Sequence, residues 1–229
     1  MQFIALDSST EWCSAALWRD GEIAAIERRA DHRHGELLLP MIERLLAEGE
    51  LDARDLDGVA FAAGPGAFTG LRIACGIAQG LAFAHDLPVV GISSLEALAE
   101  SAGCAGAPRV IACLDARMHE VYCAAFEWRA DAWCAVGDAE CVAPLDIGIP
   151  PGEGWTGAGG GFAVHGDALR ARLGAALAQV APALRPAAPA VARLAAARFG
   201  RGEGVDAALA QPHYVREKVA LTSAERLGR

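Results

Sequence analysis

The chain has 229 residues, enough for one large domain or two small ones and for a core that needs neither metal nor disulfides. Its 20 Lys and Arg against 29 Asp and Glu leave a net charge of −9, a field that repels polyanions and argues against unaided binding of nucleic acid. No apolar run reaches the roughly 18 to 20 residues of a membrane span, the first residues read as a strand rather than a basic-then-apolar signal, and the expected location is the cytoplasm.

Residues 3–7 are nearly all apolar, as in a strand covered on both faces. Residues 13–19 and 22–29 flank Asp20-Gly21, which suits a two-residue hairpin turn because both positions tolerate positive φ. A helix follows over about 33–48, with Leu38, Ile42, Leu45 and Leu46 on one face and Leu37 and Met41 on an adjoining one. That arc is wide for a helix touching a single surface, and Pro40 either kinks the helix or marks its start.

Residues 58–63 read as a buried strand. Gly64-Pro65-Gly66-Ala67-Phe68-Thr69-Gly70 then opens into a helix over about 69–85. Strand, glycine loop and helix N-terminus in that order can present backbone N–H groups to an anion, and they are also a way to turn tightly. In the helix, Leu71, Ile73, Ile77, Leu81 and Phe83 point in several directions. Small residues recur at every fourth position, Gly76 and Gly80 in one row and Ala74, Ala78 and Ala82 in another. A helix apolar all round is covered all round, and small residues let a second backbone come close. Periodicity alone leaves open whether the cover is the chain's own core or a neighbour.

A short strand at 88–92 leads to Ser93-Ser94-Leu95-Glu96, a capping box that starts a third helix. Residues 102–108, with two glycines and a proline, read as a linker. They place a first lobe at 1–106, a second at 107–205, and a C-terminal segment at 206–229 that packs back on the first lobe. Beyond the linker the beginning repeats: Ile111-Ala112-Cys113-Leu114-Asp115 echoes Phe3-Ile4-Ala5-Leu6-Asp7, and Cys123-Ala124-Ala125-Phe126 echoes Ser14-Ala15-Ala16-Leu17. A duplication of that size implies two similar lobes with a cleft between them. Further on, Pro144, Pro150, Pro151 and Gly152 make a loop and Gly157-Ala158-Gly159-Gly160-Gly161 another. Alanine-rich helices are expected over about 165–180 and 188–200, then a short ordered element at 212–216 and an exposed tail.

Asp7 and Asp115 each end the first strand of their lobe. Two carboxylates facing across a cleft, with glycine loops at Gly64, Gly66 and Gly159, would suit Mg²⁺ and phosphates; alternatively each Asp caps the turn that follows it. The loops lack the Gly-Lys-Ser/Thr of a P-loop. His32 and His34 are spaced i, i+2 and do not share a helix face, and no H-E-x-x-H pair or serine-nucleophile motif occurs. Arg117 and Glu120 read either as a cleft-side pair or as an ordinary salt bridge. The seven cysteines form no C-x-x-C pair and mostly sit in apolar runs, as reduced core thiols do.

Taken together, Asp7-Ser8-Ser9-Thr10, the string from Gly64 to Ile73, Ala78-Gln79-Gly80-Leu81-Ala82, Asp115-Ala116-Arg117 with Glu120-Val121-Tyr122, and Tyr214-x-Arg216 resemble the TsaB (YeaZ) family. The resemblance runs from the first strand to about residue 220 and is weakest over 143–205. It implies an α/β fold of duplicated RNase H-like lobes of the actin/Hsp70/sugar-kinase (ASKHA) type, mixed sheets flanked by helices. It also implies a non-catalytic subunit for threonylcarbamoyladenosine modification beside the tRNA anticodon. Such a subunit supports the catalytic TsaD, is joined by the ATPase TsaE, touches tRNA only indirectly, and forms a homodimer when alone. TsaD reads N-H-L-E-G-H, with two metal-binding histidines, where this chain has Ser93-Ser94-Leu95-Glu96-Ala97-Leu98. Ser94 is a poor ligand and Leu98 none, so no metal and no cofactor are expected beyond weak or vestigial nucleotide binding. The partner contact is expected on the helices at 33–48 and 69–85, through Leu37, Met41, Leu45, Leu71, Ala74, Ala78 and Leu81. A vestigial nucleotide cleft is placed at Asp7, Gly64, Gly66, Asp115 and Gly159. The alternative is an active ATP-dependent phosphotransferase or a metallo-protease-like enzyme of the same superfamily.

Overall fold

In the computed structural model, which describes residues 1–216, the repeat in the sequence becomes two sheets of five strands. The first holds β1 (Gln2–Asp7), β2 (Trp12–Arg19), β3 (Glu22–Arg29), β4 (Gly58–Gly64) and β5 (Val89–Ser93) in the order β3-β2-β1-β4-β5. The second holds β6 (Arg109–Arg117), β7 (Glu120–Arg129), β8 (Ala132–Val142), β9 (Trp155–Ala158) and β10 (Leu177–Ala181) in the order β10-β9-β6-β7-β8. Each is an antiparallel meander of three strands extended by two parallel ones. The hairpins match as well: Asp20 (φ 48°) and Gly21 (φ 100°) turn β2 into β3, and Ala130 (φ 48°) and Asp131 (φ 62°) turn β7 into β8. This is the duplicated α/β fold expected of RNase H-like lobes.

Alternation along each central strand decides what covers which face. Ile4 and Leu6, with Val59 and Phe61, meet Leu38, Leu45, Ala74 and Ala78 of α1 (His34–Glu48) and α2 (Phe68–His85). Phe3, Ala5 and Ala60 on the opposite face meet Val191 and Ala195 of α5 (Ala188–Gly200). On the second sheet Val110, Ala112 and Leu114 lie under Leu95, Leu98 and Ala102 of α3 (Ser94–Cys104). Ile111 and Cys113 lie over Phe162 and Leu169 of α4 (Gly160–Leu173). Two helices are therefore exchanged: α3 follows the last strand of the first sheet but covers the second, and α5, inside the span expected for the second lobe, covers the first.

Several expectations change. Helix α1 continues unbroken past Pro40, which lies exposed, rather than starting there. The helix expected over 165–180 starts at Gly160 and ends at Leu173, and residues 177–181 form strand β10, paired in parallel with β9. Alanine-rich sequence carries little period, so sheet pairing decides. The glycine run at 157–161 is largely not a loop. Gly157 lies in β9, where a Cβ would meet the Phe162 ring at 2.4 Å. Ser93 caps α3 by accepting from the Glu96 N–H at 3.4 Å. The chain then bridges Val205 to Val89 and makes a single turn at Ala207–Leu209. From there it follows α2, whose Cys75 thiol and Gln79 amide donate to the Ala210 carbonyl at 3.6 and 2.9 Å. The exposed tail lies outside the described residues. Among the described residues no helix is long and apolar enough to cross a membrane.

Candidate functional site

Between the lobes lies a cleft of about 840 Å³. Its walls come from the turn after β1 (Ser9, Thr10), the glycine loop (Pro65, Gly66), the turn after β6 (Asp115, Arg117) and the start of α4 (Gly160).

The two strand-end carboxylates perform the same local task. The Ser9 N–H donates to Asp7 Oδ1 at 3.1 Å, and the Arg117 N–H donates to Asp115 Oδ1 at 3.1 Å. Both are caps of an i to i+2 turn. They then diverge. Asp7 is 1% exposed, and burial pushes its carboxyl up to about 6 against the pull of the Ser9 backbone and hydroxyl hydrogen bonds. It does not line the cleft. Asp115 does, where Arg117 Nη1 and His165 Nε2 each lie 3.3 Å from its carboxylate. The two carboxylates therefore do not face one another across the cleft. Arg117 and Glu120 do not pair either: Arg117 goes to Asp115, and Glu120 takes Arg216.

The glycine loop is turned against its own chain. A Cβ on Gly66 would meet the Ser9 carbonyl oxygen at 2.4 Å, and one on Gly70 would meet the Ser8 oxygen at 1.9 Å. The Ala67 N–H donates to Ser9 O at 2.7 Å, and Ser8 Oγ donates to Gly70 O at 2.7 Å. Gly64 has φ +121° and lies against the His213 carbonyl. In the second lobe a Cβ on Gly159 would meet the Cys113 oxygen at 2.3 Å and Leu98 Cδ2 at 2.6 Å. These glycines let two turns touch backbone to backbone. Ser94 and Leu98 are wholly buried, and the Ser94 hydroxyl has no hydrogen-bond partner among the described residues. Among the described residues no three His, Cys, Asp or Glu side chains are grouped to hold a metal ion.

Helix α2 has two unlike faces. Of the seven residues expected to meet a partner, Met41, Leu45, Leu71, Ala74 and Ala78 are buried in the chain's own core, and Leu37 and Leu81 are half-buried against it. The row Ala74, Ala78 and Ala82 thus packs on the first sheet. The row Gly76 and Gly80 faces outward, where an added Cβ meets nothing within 4 Å among the described residues. Phe83, 81% exposed, shares that outward face, with Ile73 and Ile77 half-buried at its border. The spacing 73, 76, 80, 83 is a helical stripe in the sequence; reading the alanine row in its place missed Phe83.

A family model described as TsaD, tRNA N6-adenosine threonylcarbamoyltransferase, matches residues 26–144. The tRNA threonylcarbamoyladenosine biosynthesis protein TsaB of Escherichia coli K12 is 37% identical over 96% of each chain. The protein of the same description from Haemophilus influenzae is 49% identical over 53% of this chain and 52% of its own. The solved structure of YeaZ from Pseudomonas aeruginosa superposes with a TM-score of 0.86 at 38% identity, over 93% of this chain and 99% of its own. A second Pseudomonas aeruginosa structure, described as an uncharacterized protein with similarity to peptidase YEAZ, gives 0.87 at 37% identity, over 94% and 99%.

Proposed function

The chain belongs to the TsaB (YeaZ) family, and from that membership we propose that it serves tRNA threonylcarbamoyladenosine biosynthesis as a non-catalytic subunit, pairing with TsaD in a complex that TsaE joins. In this reading TsaD performs the transfer at the adenosine beside the anticodon. The chain acts in the cytoplasm without a cofactor or metal of its own, and its net charge of −9 leaves tRNA to other subunits.

The observation that carries the reading is the outward face of α2. A glycine in an exposed helix interior costs about 1 kcal/mol relative to alanine. Gly76 and Gly80 both sit there, and among the described residues no atom beyond the helix's own backbone comes within 4 Å of their missing Cβ positions. Their use lies with a backbone that packs from outside, with Phe83 and the edges of Ile73 and Ile77 supplying apolar area. Alone, the same face meets its own copy and gives a homodimer. The cleft supports the non-catalytic part of the reading: Gly64, Gly66, Gly70 and Gly159 are set against the chain's own carbonyls, and the loops lack the Gly-Lys-Ser/Thr of a P-loop.

Full-length Gly80→Glu, co-expressed with TsaD, tests this. The wild-type chain should co-purify with TsaD stoichiometrically, and the variant should lose TsaD while keeping its circular-dichroism spectrum and melting temperature. Normal co-purification of the variant overturns the proposal.

A further inference from the structure

Both sheets and the helices α1 to α5 are complete by residue 200, yet the chain continues and returns to the cleft. It has by then crossed between lobes twice. The first crossing is made by α3 itself, and the second is at 182–187, where Leu184 packs in the second lobe while Arg185 holds Glu27 of the first at 2.6 Å and stacks on Trp12. The return is a third crossing that the topology does not require.

Its anchors lie on opposite lobes. On the first, the His213 N–H donates to the Ala63 carbonyl at 2.7 Å, the Tyr214 ring packs 5.8 Å from that of Phe68, and Arg72 Nε donates to the Tyr214 hydroxyl at 3.2 Å. Two residues later Arg216 reaches the second lobe. Its guanidinium donates to the Ala116 carbonyl at 3.0 Å, pairs with Glu120 and lies over the Tyr122 ring at 5.8 Å. The Arg216 side chain is 17% exposed, and residues 213–216 all line the cleft.

We propose that residues 213–216 are a latch across the mouth of the cleft, seated on the first lobe by Tyr214 and bolted to the second by Arg216, and that it sets the aperture between the lobes. Opening the cleft at this side requires the Arg216–Glu120 pair to break, whereas the Arg185–Glu27 pair holds the lobes at the 182–187 crossing. A charge-assisted pair with a second carbonyl contact is the strongest kind of tether such a short segment carries. The latch is independent of what the chain pairs with, so it stands or falls apart from the assignment to TsaD.

Native-state hydrogen exchange on the full-length chain tests it, comparing wild type, Arg216→Ala, Glu120→Gln and the double variant. Amides at 66–68, 115–119 and 213–216 should exchange about tenfold faster in each single variant, while those of β1, of β4 and of β6 before Asp115 hold their wild-type rates. The double variant should be no faster than either single one, because both remove the same bolt. Unchanged cleft exchange, additive effects in the double variant, or acceleration spread evenly through both cores would each overturn the latch; the last would make Arg216 a residue of global stability only.

Discussion

A methyl group on Gly70 would stand 1.9 Å from the Ser8 carbonyl oxygen, whereas one on Gly76, six residues along, would meet nothing within 4 Å among the described residues. The two positions look alike in the sequence and answer to different neighbours. Gly70→Ala should cost about 3 kcal/mol through backbone displacement, and Gly76→Ala should raise stability by about 1 kcal/mol. Urea unfolding of both variants measures the contrast, and similar midpoints would contradict the packing described. Asp7 makes a pH-dependent case. Its folded carboxyl titrates near 6, above the ordinary value of 3.8, so the folded state holds the proton more tightly than the unfolded chain. The stability it confers is full below about pH 4 and is lost as pH rises through about 6, a change on the order of 3 kcal/mol. Asp7→Asn, which keeps an acceptor for the Ser9 N–H, should remove that dependence and raise the unfolding midpoint at pH 7; a lowered midpoint at pH 7 would count against it. That a strand-end Asp caps its own turn was legible from Asp7-Ser8-Ser9. That one Asp is buried and the other lines the cleft was not, because burial is decided by loops far away in the chain.

At the scale of elements, α2 turns on the phase of its small residues. The sequence shows two rows a third of a turn or more apart, and either could face a partner; only the position of the first sheet assigns them. Ala78 is wholly buried, so Ala78→Glu should unfold the first lobe, whereas Gly80→Glu should leave it folded. Loss of the native circular-dichroism signal in the first variant alone checks the assignment. The strands and hairpins of both meanders were legible because alternation and Asp20-Gly21 are local signals. Strand β10 was not, since residues 177–181 pair with β9 through contacts that alanine-rich sequence does not announce.

For the whole molecule, the duplication could be read from paired strings around Asp7 and Asp115, but the exchange of α3 and α5 could not. Nothing local in an amphipathic helix states which of two sheets it will cover. The exchange ties the lobes together: Glu96 of α3 pairs with Arg198 of α5 at 2.6 Å, and Glu100 accepts from Trp133 Nε1 of the second sheet at 2.8 Å. Each sheet has one face covered by helices of its own lobe and the other covered only while the exchanged helix is in place. Thermal unfolding should therefore be one cooperative transition, with tryptophan fluorescence and far-ultraviolet circular dichroism coinciding. Two resolved transitions would mean that the lobes stand alone.

The same exchange orders events during synthesis. The first sheet is complete when residue 93 emerges, but the face bearing Phe3, Ala5 and Ala60 waits for α5, about a hundred residues later. Through that interval the nascent chain carries an uncovered apolar sheet face, the kind of surface on which growing chains aggregate or recruit chaperones. A fragment ending at 106 would keep that face open permanently, so the first lobe is the product of the finished chain and not of its own half of the message.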